Sequence, residues 1–185
     1  MTTMRRTTAA ALLALGLLHA TVEPAQAASA AEISANARQA LRDLYARTPA
    51  ARVLGEKARG ILVFPSILKG GFIFGAEYGN GALFRNGRTS AYYNTTGASY
   101  GFQAGIQKYG YALFLMTDAA IRYLDQSQGF ELGAGPSLVV VDQGFAKKLT
   151  TTTLQSDMYA FVFNQMGLMG GVSLQGTKVT RIHPQ

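Results

Sequence analysis

The chain has 185 residues, of which 48% are hydrophobic and 15% charged, and it contains no cysteine. This balance is typical of a folded domain and excludes a disordered chain, and the lack of cysteine excludes a disulfide framework. The formal net charge is +7, which favours anionic partners such as lipid headgroups, nucleic acids or acidic polymers.

The first 27 residues have the pattern of a secretory signal peptide. Arg5 and Arg6 form a positive segment, residues 9–20 are apolar, and residues 25–27 read AQA, a typical cleavage site. The apolar segment is shorter than the ~20 residues that span a bilayer as a helix. We therefore expect cleavage after Ala27, a single mature domain over residues 28–185, and a periplasmic or secreted protein that is peripheral on a membrane.

Cleavage would change the charge only slightly. The leader carries Arg5, Arg6 and Glu23, so its loss lowers the formal net charge from +7 by one, to +6. Because the mature chain would be exported, we do not expect nucleic acid as a partner. The same charge also suits a surface whose only role is solubility, so charge alone leaves both interpretations open.

The mature chain begins with a predicted amphipathic helix from Ala30 to Arg47. Arg38 and Arg42 lie one helical turn apart on one side of its apolar stripe, and Arg47 flanks the other side. Such a helix suits a membrane interface, with guanidinium groups at the level of the phosphates, but it also suits packing on its own domain. The stripe recurs at helical spacing and consists of Ile33, Ala37, Ala40, Leu41 and Leu44.

A second, shorter helix is predicted from Pro49 to Lys57, with Thr48 as its N-cap. Four basic residues lie on this helix or close after it. If their side chains converge, they form an anion site at one end of the predicted sheet, and if they do not, they are scattered surface charge. These residues are Arg52, Lys57, Arg59 and Lys69.

Strands dominate the chain from Gly60 onward. Pro65 is predicted to end the first strand, the pair Gly70-Gly71 to open the second, and Asn86-Gly87 to form a two-residue hairpin turn. Asp118 is predicted to cap a short helix. The predicted strands are Ile61 to Phe64, Gly71 to Tyr78, Gly81 to Arg85, Arg88 to Tyr93, Ala98 to Gln107, Tyr109 to Met116, Phe130 to Ala134, Leu138 to Val141, Met158 to Asn164 and Val172 to Thr180.

The regular spacing of the turns predicts an α+β fold. We expect mainly an antiparallel β-barrel or a strongly curved sheet, with the amphipathic helices at its N-terminus and one short helix in mid-chain. We expect phenylalanines in the core, namely Phe72, Phe74, Phe102, Phe114, Phe130, Phe161 and Phe163. We expect tyrosines at the sheet surface or rim, namely Tyr78, Tyr92, Tyr93, Tyr100, Tyr109 and Tyr111.

Five motifs resemble the SYLF family of lipid-binding domains. They are, in order, GILVFPSILKGGFIFGAEYGNG, YGFQAGIQ, ALFLMTDAAI, FELGAG and GLMGGVSLQG, and the resemblance covers Ser34 to Ile182. It implies binding of phosphoinositide-like headgroups, as in eukaryotic members. The leader is typical of a bacterial exported member, for which phosphatidylglycerol, cardiolipin or the phosphates of lipid A are the expected targets. Some eukaryotic members bind actin, and we do not expect that here.

Catalysis has little support in the sequence. The mature chain has no cysteine and one histidine, His183, close to its end, and its carboxylates are isolated. Gly75, Gly79 and Gly81 do not form a phosphate loop because no Gly-Lys-Ser/Thr follows them. We predict a protein that is not an enzyme and has no cofactor or metal.

The leading hypothesis is binding to anionic phospholipid membrane surfaces. The amphipathic first helix would insert its apolar stripe, and basic residues would bind the phosphates. One alternative is a structural or interaction module of the cell envelope that binds a protein or a wall polymer, and another is a small barrel around one hydrophobic ligand. The predicted lipid-binding residues are Arg38, Arg42, Arg47, Arg52, Lys57, Arg59 and Lys69.

Overall fold

The computed structural model describes residues 28–71, 74–100, 105–126, 130–141, 155–167, 174 and 176–185. The predicted signal peptide, Phe72 and Phe102 lie outside these residues. The described part of the chain forms three helices and eight strands: α1 (Ala30–Arg47), α2 (Pro49–Lys57), β1 (Gly60–Gly71), β2 (Phe74–Arg85), β3 (Arg88–Tyr100), β4 (Gly105–Leu115), α3 (Asp118–Gln126), β5 (Phe130–Glu131), β6 (Leu138–Val141), β7 (Met158–Gly167) and β8 (Lys178–Ile182).

The strands form one sheet in the order β5-β8-β3-β2-β1-β4-β7-β6, curled into a half-barrel. Neighbouring strands are antiparallel except β6 and β7, which are parallel. Strands β5 and β6 are the two edges. The predicted α+β class is confirmed, and of the two predicted sheet forms the strongly curved sheet is observed.

Several predicted elements agree with the structure. Helices α1 and α2 have the predicted bounds. Asn86 and Gly87 adopt positive φ angles of 51° and 74° and join β2 to β3, as a type I′ hairpin turn requires. These features depend on local signals, namely helical periodicity, Pro49 at a helix start and a turn dipeptide that tolerates positive φ.

Strand β1 continues through Pro65, where we predicted that it would end. Val63 pairs with Ala82 and Ile67 pairs with Gly79, so β1 contains one residue more than β2 over this stretch. Such a bulge tolerates proline because the residues within it need not donate to the ladder. The result is one strand of 12 residues instead of the predicted short strand from Ile61 to Phe64.

Two further boundaries differ from prediction. Gly70 and Gly71 end β1, with Gly71 paired to Gly75, so they do not open the next strand. We also predicted one strand from Ala98 to Gln107, but Ala98 belongs to β3 and Gln107 belongs to β4. Alternation has the same period on both sides of a connection, so periodicity alone does not reveal where one strand stops.

The N-cap of α3 is Thr117, where we predicted Asp118. The Ala120 amide donates to Thr117 Oγ1 over 3.2 Å, which satisfies one of the free amides at the helix start. Asp118 is the first residue of the helix, and its carboxylate lies 3.7 Å from Arg59 Nε.

The sheet carries a hydrophobic core on each face. On one face, which we call the α1 face, α1 and α2 bury residues such as Val63, Phe84 and Phe114. On the opposite, α3 face, α3 contributes Ile121 and Leu124 to a core that includes strand residues such as Leu113. Strand alternation explains the division, because neighbouring residues of a strand point to opposite faces.

The aromatic residues divide differently from the prediction. Phe114, Phe130 and Phe161 are buried as predicted, and Tyr78 is exposed as predicted, but Phe74 is 75% exposed. The prediction that tyrosines lie at the rim is wrong for three of them, because they pack in the core of the α3 face. In that core, the Tyr109 hydroxyl bonds to Glu77 and the Tyr111 hydroxyl bonds to Thr95. The buried tyrosines are Tyr93, Tyr109 and Tyr111.

Candidate functional site

Four of the seven predicted basic residues surround one groove between α1 and α2. Arg38 and Arg59 line a part of about 360 Å³, and Arg42 and Arg52 line an adjoining part of about 570 Å³. We call this site the arginine groove. Both parts share the residues Tyr45, Gly55 and Glu56.

The groove exists because α2 folds back against α1 without an intervening loop. Thr48 is extended (φ −133°, ψ 91°) and is the one residue between the two helices. Pro49 is compatible with the first turn of α2, where its missing amide hydrogen has no helical partner. A side chain at position 55 would collide with the Tyr45 ring, so Gly55 lets that ring lie against α2.

Two of the arginines are held at the wall of the groove. Arg38 Nη1 donates to the Gly87 carbonyl over 3.1 Å, and its guanidinium lies 5.0 Å from the centre of the Phe84 ring. Arg59 faces Asp118 at 3.7 Å, and both of these side chains are exposed. Guanidinium groups in such positions keep further N–H groups available for an anion.

The other groove residues set its polarity. Arg42 donates to Gln39 Oε1 on the same helix. Glu56 is the acidic residue among the groove's lining, so the positive charges of four arginines outweigh the negative charge of one carboxylate. Burial, with Glu56 nearby, raises the pKa of the Tyr45 hydroxyl, although Arg52 opposes the shift. That hydroxyl therefore stays protonated at neutral pH and is able to donate a hydrogen bond.

The remaining predicted residues lie apart from the groove. Lys57 is exposed at the end of α2, and Arg47 donates to Asn164 Oδ1 of β7 over 3.0 Å. Lys69 lies ten residues beyond Arg59 along an extended chain, roughly 30 Å away at ~3.3 Å per residue. Of the two alternatives left open for these residues, Lys69 therefore follows the scattered one and does not converge with Arg52 and Arg59, because β1 is one long strand.

The apolar stripe of α1 packs on the sheet. Ile33, Ala37, Ala40 and Leu44 are each at most 7% exposed, and Leu41 is partly buried against the same core. In this conformation the stripe is not accessible to a membrane, and its insertion would require α1 to leave the sheet. Within the described residues, none of the helices combines the length and apolar character needed to cross a bilayer.

The sequence did not indicate a buried polar group on the α3 face. Glu77 accepts hydrogen bonds from Tyr109 Oη (2.7 Å) and Thr177 Oγ1 (2.9 Å). Burial, together with the hydrogen bond to Glu77, raises the pKa of Tyr109 far above its usual value, so this hydroxyl remains a donor. Thr177 is 100 residues away in the chain, and no local pattern points to the contact.

The sequence also did not indicate a group of exposed apolar residues on the α1 face. Leu68, Tyr78, Ile106 and Met166 are all more than half exposed. Their alternation was visible in the sequence, but alternation does not show which face of a strand is covered.

Comparison with known proteins identifies a family for the second half of the chain. Residues 96–183 match the family model described as Ysc84: Las17-binding protein actin regulator. Among proteins with curated descriptions, none matches this chain. The Ysc84 model represents the SYLF domain, and this is a family of binding domains associated with lipid binding.

The match begins within β3, so it excludes β1 and β2, which lie between β3 and β4 in the sheet. The two parts of the chain therefore build one sheet together. The family predicted from the sequence motifs is confirmed, in that residues 96–183 match the model of the SYLF (Ysc84) family.

Proposed function

We propose that the protein binds membrane surfaces rich in anionic phospholipid, and that it does so without catalysing a reaction and without a cofactor or metal. The observation that carries the proposal is the arginine groove, in which Arg38, Arg42, Arg52 and Arg59 surround one depression. Membership of a family associated with lipid binding supports it.

Phosphate recognition by the groove follows from guanidinium chemistry. Arginine presents a planar fork of N–H donors that matches two phosphate oxygens at once. Each cation near an anionic membrane contributes ~1 kcal/mol, and salt screens this contribution. The Tyr45 hydroxyl is a further donor beside the arginines. Phosphatidylglycerol, cardiolipin and lipid A phosphates fit this chemistry in an exported protein.

Helix α1 has a different role here from the one its sequence predicts. With its stripe packed on the sheet, α1 presents Arg38 and Arg42 from a rigid support. Holding the side chains in place lowers the entropy lost on binding. The proposal retains an exported location and includes no binding to actin.

Vesicle co-sedimentation tests the proposal with the chain from Ala28 onward. We expect binding to vesicles containing phosphatidylglycerol, weak binding to zwitterionic vesicles, and release at high salt. The double variant Arg42→Gln with Arg52→Gln should bind about 30-fold more weakly, since it loses two cations of ~1 kcal/mol each.

The matched control is Arg122→Gln with Arg181→Gln, which removes the same charge from exposed positions on α3 and β8. Equal weakening by the two double variants would show that overall charge, and not the groove, causes binding. Absence of vesicle binding at any salt concentration would refute the lipid function and favour a protein or wall-polymer partner.

A further inference from the structure

Helices α1 and α2 cover only part of the α1 face of the sheet. Even-numbered residues of β2 and β4 lie on this face, as Phe84 and Phe114 show by packing in the core beneath α1 and α2. The same alternation, continued along both strands, places Tyr78 and Lys108 on this face near the opposite end of the sheet. Both side chains are exposed.

Strand register brings exposed apolar residues together there. Tyr78 of β2 pairs with Leu68 of β1, Leu68 pairs with Lys108 of β4, and Lys108 pairs with Met166 of β7. Residues that are directly opposite on neighbouring strands have adjacent side chains on one face. One row of four side chains therefore crosses four strands.

A second row lies two residues away along β1, β2 and β4. Gly70 pairs with Ala76 on one side and with Ile106 on the other. A Cβ placed on Gly70 would meet no atom closer than 4.0 Å, so the space above this glycine is open. We call the two rows the apolar patch, which consists of Leu68, Gly70, Ala76, Tyr78, Ile106 and Met166 around Lys108.

The exposure of the patch is unusual for its residue types. Leu68 is 57% exposed, Ile106 68% and Met166 61%, although side chains of these types are usually buried. A single exposed leucine would need no explanation, but a contiguous group on neighbouring strands marks an interaction surface.

The charges around the patch complement an anionic surface. Lys108 lies within it, and Arg47 reaches the same part of β7 through its hydrogen bond to Asn164. In the described residues 66–71, 74–79, 105–110 and 163–166, the one carboxylate is Glu77, which is buried on the α3 face. A lysine among apolar side chains suits a lipid interface, where its stem contacts acyl chains and its ammonium group contacts phosphate.

A second copy of the chain is a poorer match for this surface. Two apolar patches packed face to face would bring two Lys108 side chains into one interface that contains no patch carboxylate. Like charges in a buried contact oppose association. Tyr78, by contrast, has the apolar ring and polar hydroxyl that favour a membrane interface.

We propose that the apolar patch is the part of the protein that enters the lipid interface, while α1 stays docked on the sheet. The inference rests on the proposed lipid function for the class of ligand, but it does not require the arginine groove. It transfers the inserting role from the stripe of α1 to the open part of the same sheet face.

The first test uses co-sedimentation with phosphatidylglycerol vesicles. Leu68→Ser with Ile106→Ser should weaken binding on the order of tenfold, because each change removes a large apolar side chain from the interface. The salt dependence should stay unchanged because no charge is lost. The matched control, Val53→Ser with Val140→Ser, alters two exposed valines elsewhere and should bind like the unaltered protein.

The second test keeps the fold and reports insertion directly. The chain has no cysteine, so Ile106→Cys or Val140→Cys provides a single site for an environment-sensitive fluorophore. With anionic vesicles, the label at position 106 should shift to the blue and be quenched by lipid-borne quenchers, whereas the label at position 140 should not.

The outcomes separate this inference from the lipid function. If the unaltered protein does not bind vesicles, the lipid function itself fails. If it binds while the label at position 106 stays in water, the lipid function stands and the patch is not the inserting surface. Concentration-dependent dimerisation that Leu68→Ser with Ile106→Ser abolishes, measured by sedimentation velocity, would instead identify a second copy as the occupant and overturn the inference.

Discussion

Some strand glycines are required because a neighbouring strand leaves no room for a side chain, whereas others have open space above them. A Cβ at Gly81 would lie 2.5 Å from the Val63 carbonyl oxygen and 2.6 Å from the Phe64 ring, whereas the same atom at Gly70 would meet nothing closer than 4.0 Å. The two positions are both strand glycines in the sequence, so the difference between them arises from the neighbouring strand.

We expect Gly81→Ala to destabilise the fold by about 1–3 kcal/mol, because the added methyl group must displace backbone and a buried ring. Gly70→Ala is the matched control and should change the free energy of unfolding by no more than about 0.5 kcal/mol. Urea denaturation of both variants measures the difference. Equal effects at the two positions would contradict the close approach at Gly81.

The Glu77 group provides a second prediction for individual residues. Tyr109→Phe removes the donor to Glu77 Oε2 while keeping the ring, and an unsatisfied buried acceptor costs about 1–3 kcal/mol. Tyr78→Phe removes an exposed hydroxyl and should have little effect. Denaturant unfolding of the two variants gives the comparison, and a loss no larger for Tyr109→Phe than for Tyr78→Phe would show that the hydrogen bond contributes nothing to stability.

At the level of elements, Asp157 joins the starts of α3, β6 and β7. Its carboxylate accepts from Thr117 Oγ1 (2.8 Å) and from the amide (3.0 Å) and hydroxyl (2.9 Å) of Ser137. The hydrogen bond from Thr117, followed by those from Ser137, holds the pKa of Asp157 below its usual value of 3.8. Thr117 in turn caps α3, so one carboxylate supports three elements.

This arrangement predicts an acid-dependent contribution to stability. A lowered pKa in the folded state stabilises the protein above the unfolded pKa of 3.8, and the contribution is lost as the pH falls through the lower, folded value. At pH 6 we expect Asp157→Asn to be less stable by about 1 kcal/mol or less, since water screens the site. Unfolding measured from pH 6 to pH 2 should show the two proteins converging, and a constant difference would contradict the prediction.

Helix α1 is a structural element as well as a carrier of arginines. It packs over Val63 and Phe84 in the core of the α1 face, so a chain that lacked residues 28–47 would expose this core. Vesicle binding by such a truncated chain would reflect uncovered apolar surface. Substitutions of exposed side chains, which leave α1 docked, are therefore the sharper test of its role.

At the scale of the whole molecule, the two candidate contact surfaces lie on the same side of the sheet. The arginine groove is formed by the helices that pack on the α1 face, and the apolar patch is the exposed part of that face. In the proposed function, the groove supplies a salt-sensitive contribution to binding and the patch a contribution that salt does not screen. Comparing the groove and patch variants at low and high salt separates these contributions.

The order of the strands explains why residues far apart in the chain lie on one surface. Strand β1 is in the middle of the sheet, between β2 and β4, and β4 contacts β7. Consequently Leu68, Ile106 and Met166, which are about 100 residues apart at the extremes, contribute to one surface. The family match over residues 96–183 includes Ile106 and Met166. Leu68 lies outside the match, on β1.

Local sequence was sufficient for the family, for the bounds of α1 and α2, for the Asn86-Gly87 turn and for the arginines that border the α1 stripe. The helices, the turn and the arginines depend on residues within a few positions of one another, whose spacing or φ preference is visible in the chain. The family depends on the order of five short motifs along the chain. Local sequence did not predict that β1 continues through Pro65, because the bulge there depends on the register of β1 with β2 and β4.

The candidate site shows the same division. Arg38 and Arg42 were predicted together because one helical turn separates them, while the distance of Lys69 from the groove depends on the length of β1. Alternation predicted that Phe74 and Tyr78 share a face, but it did not show that this face is exposed or that the face of Tyr109 and Tyr111 is buried. Which face is covered depends on where α1, α2 and α3 pack, and those contacts join residues distant in sequence.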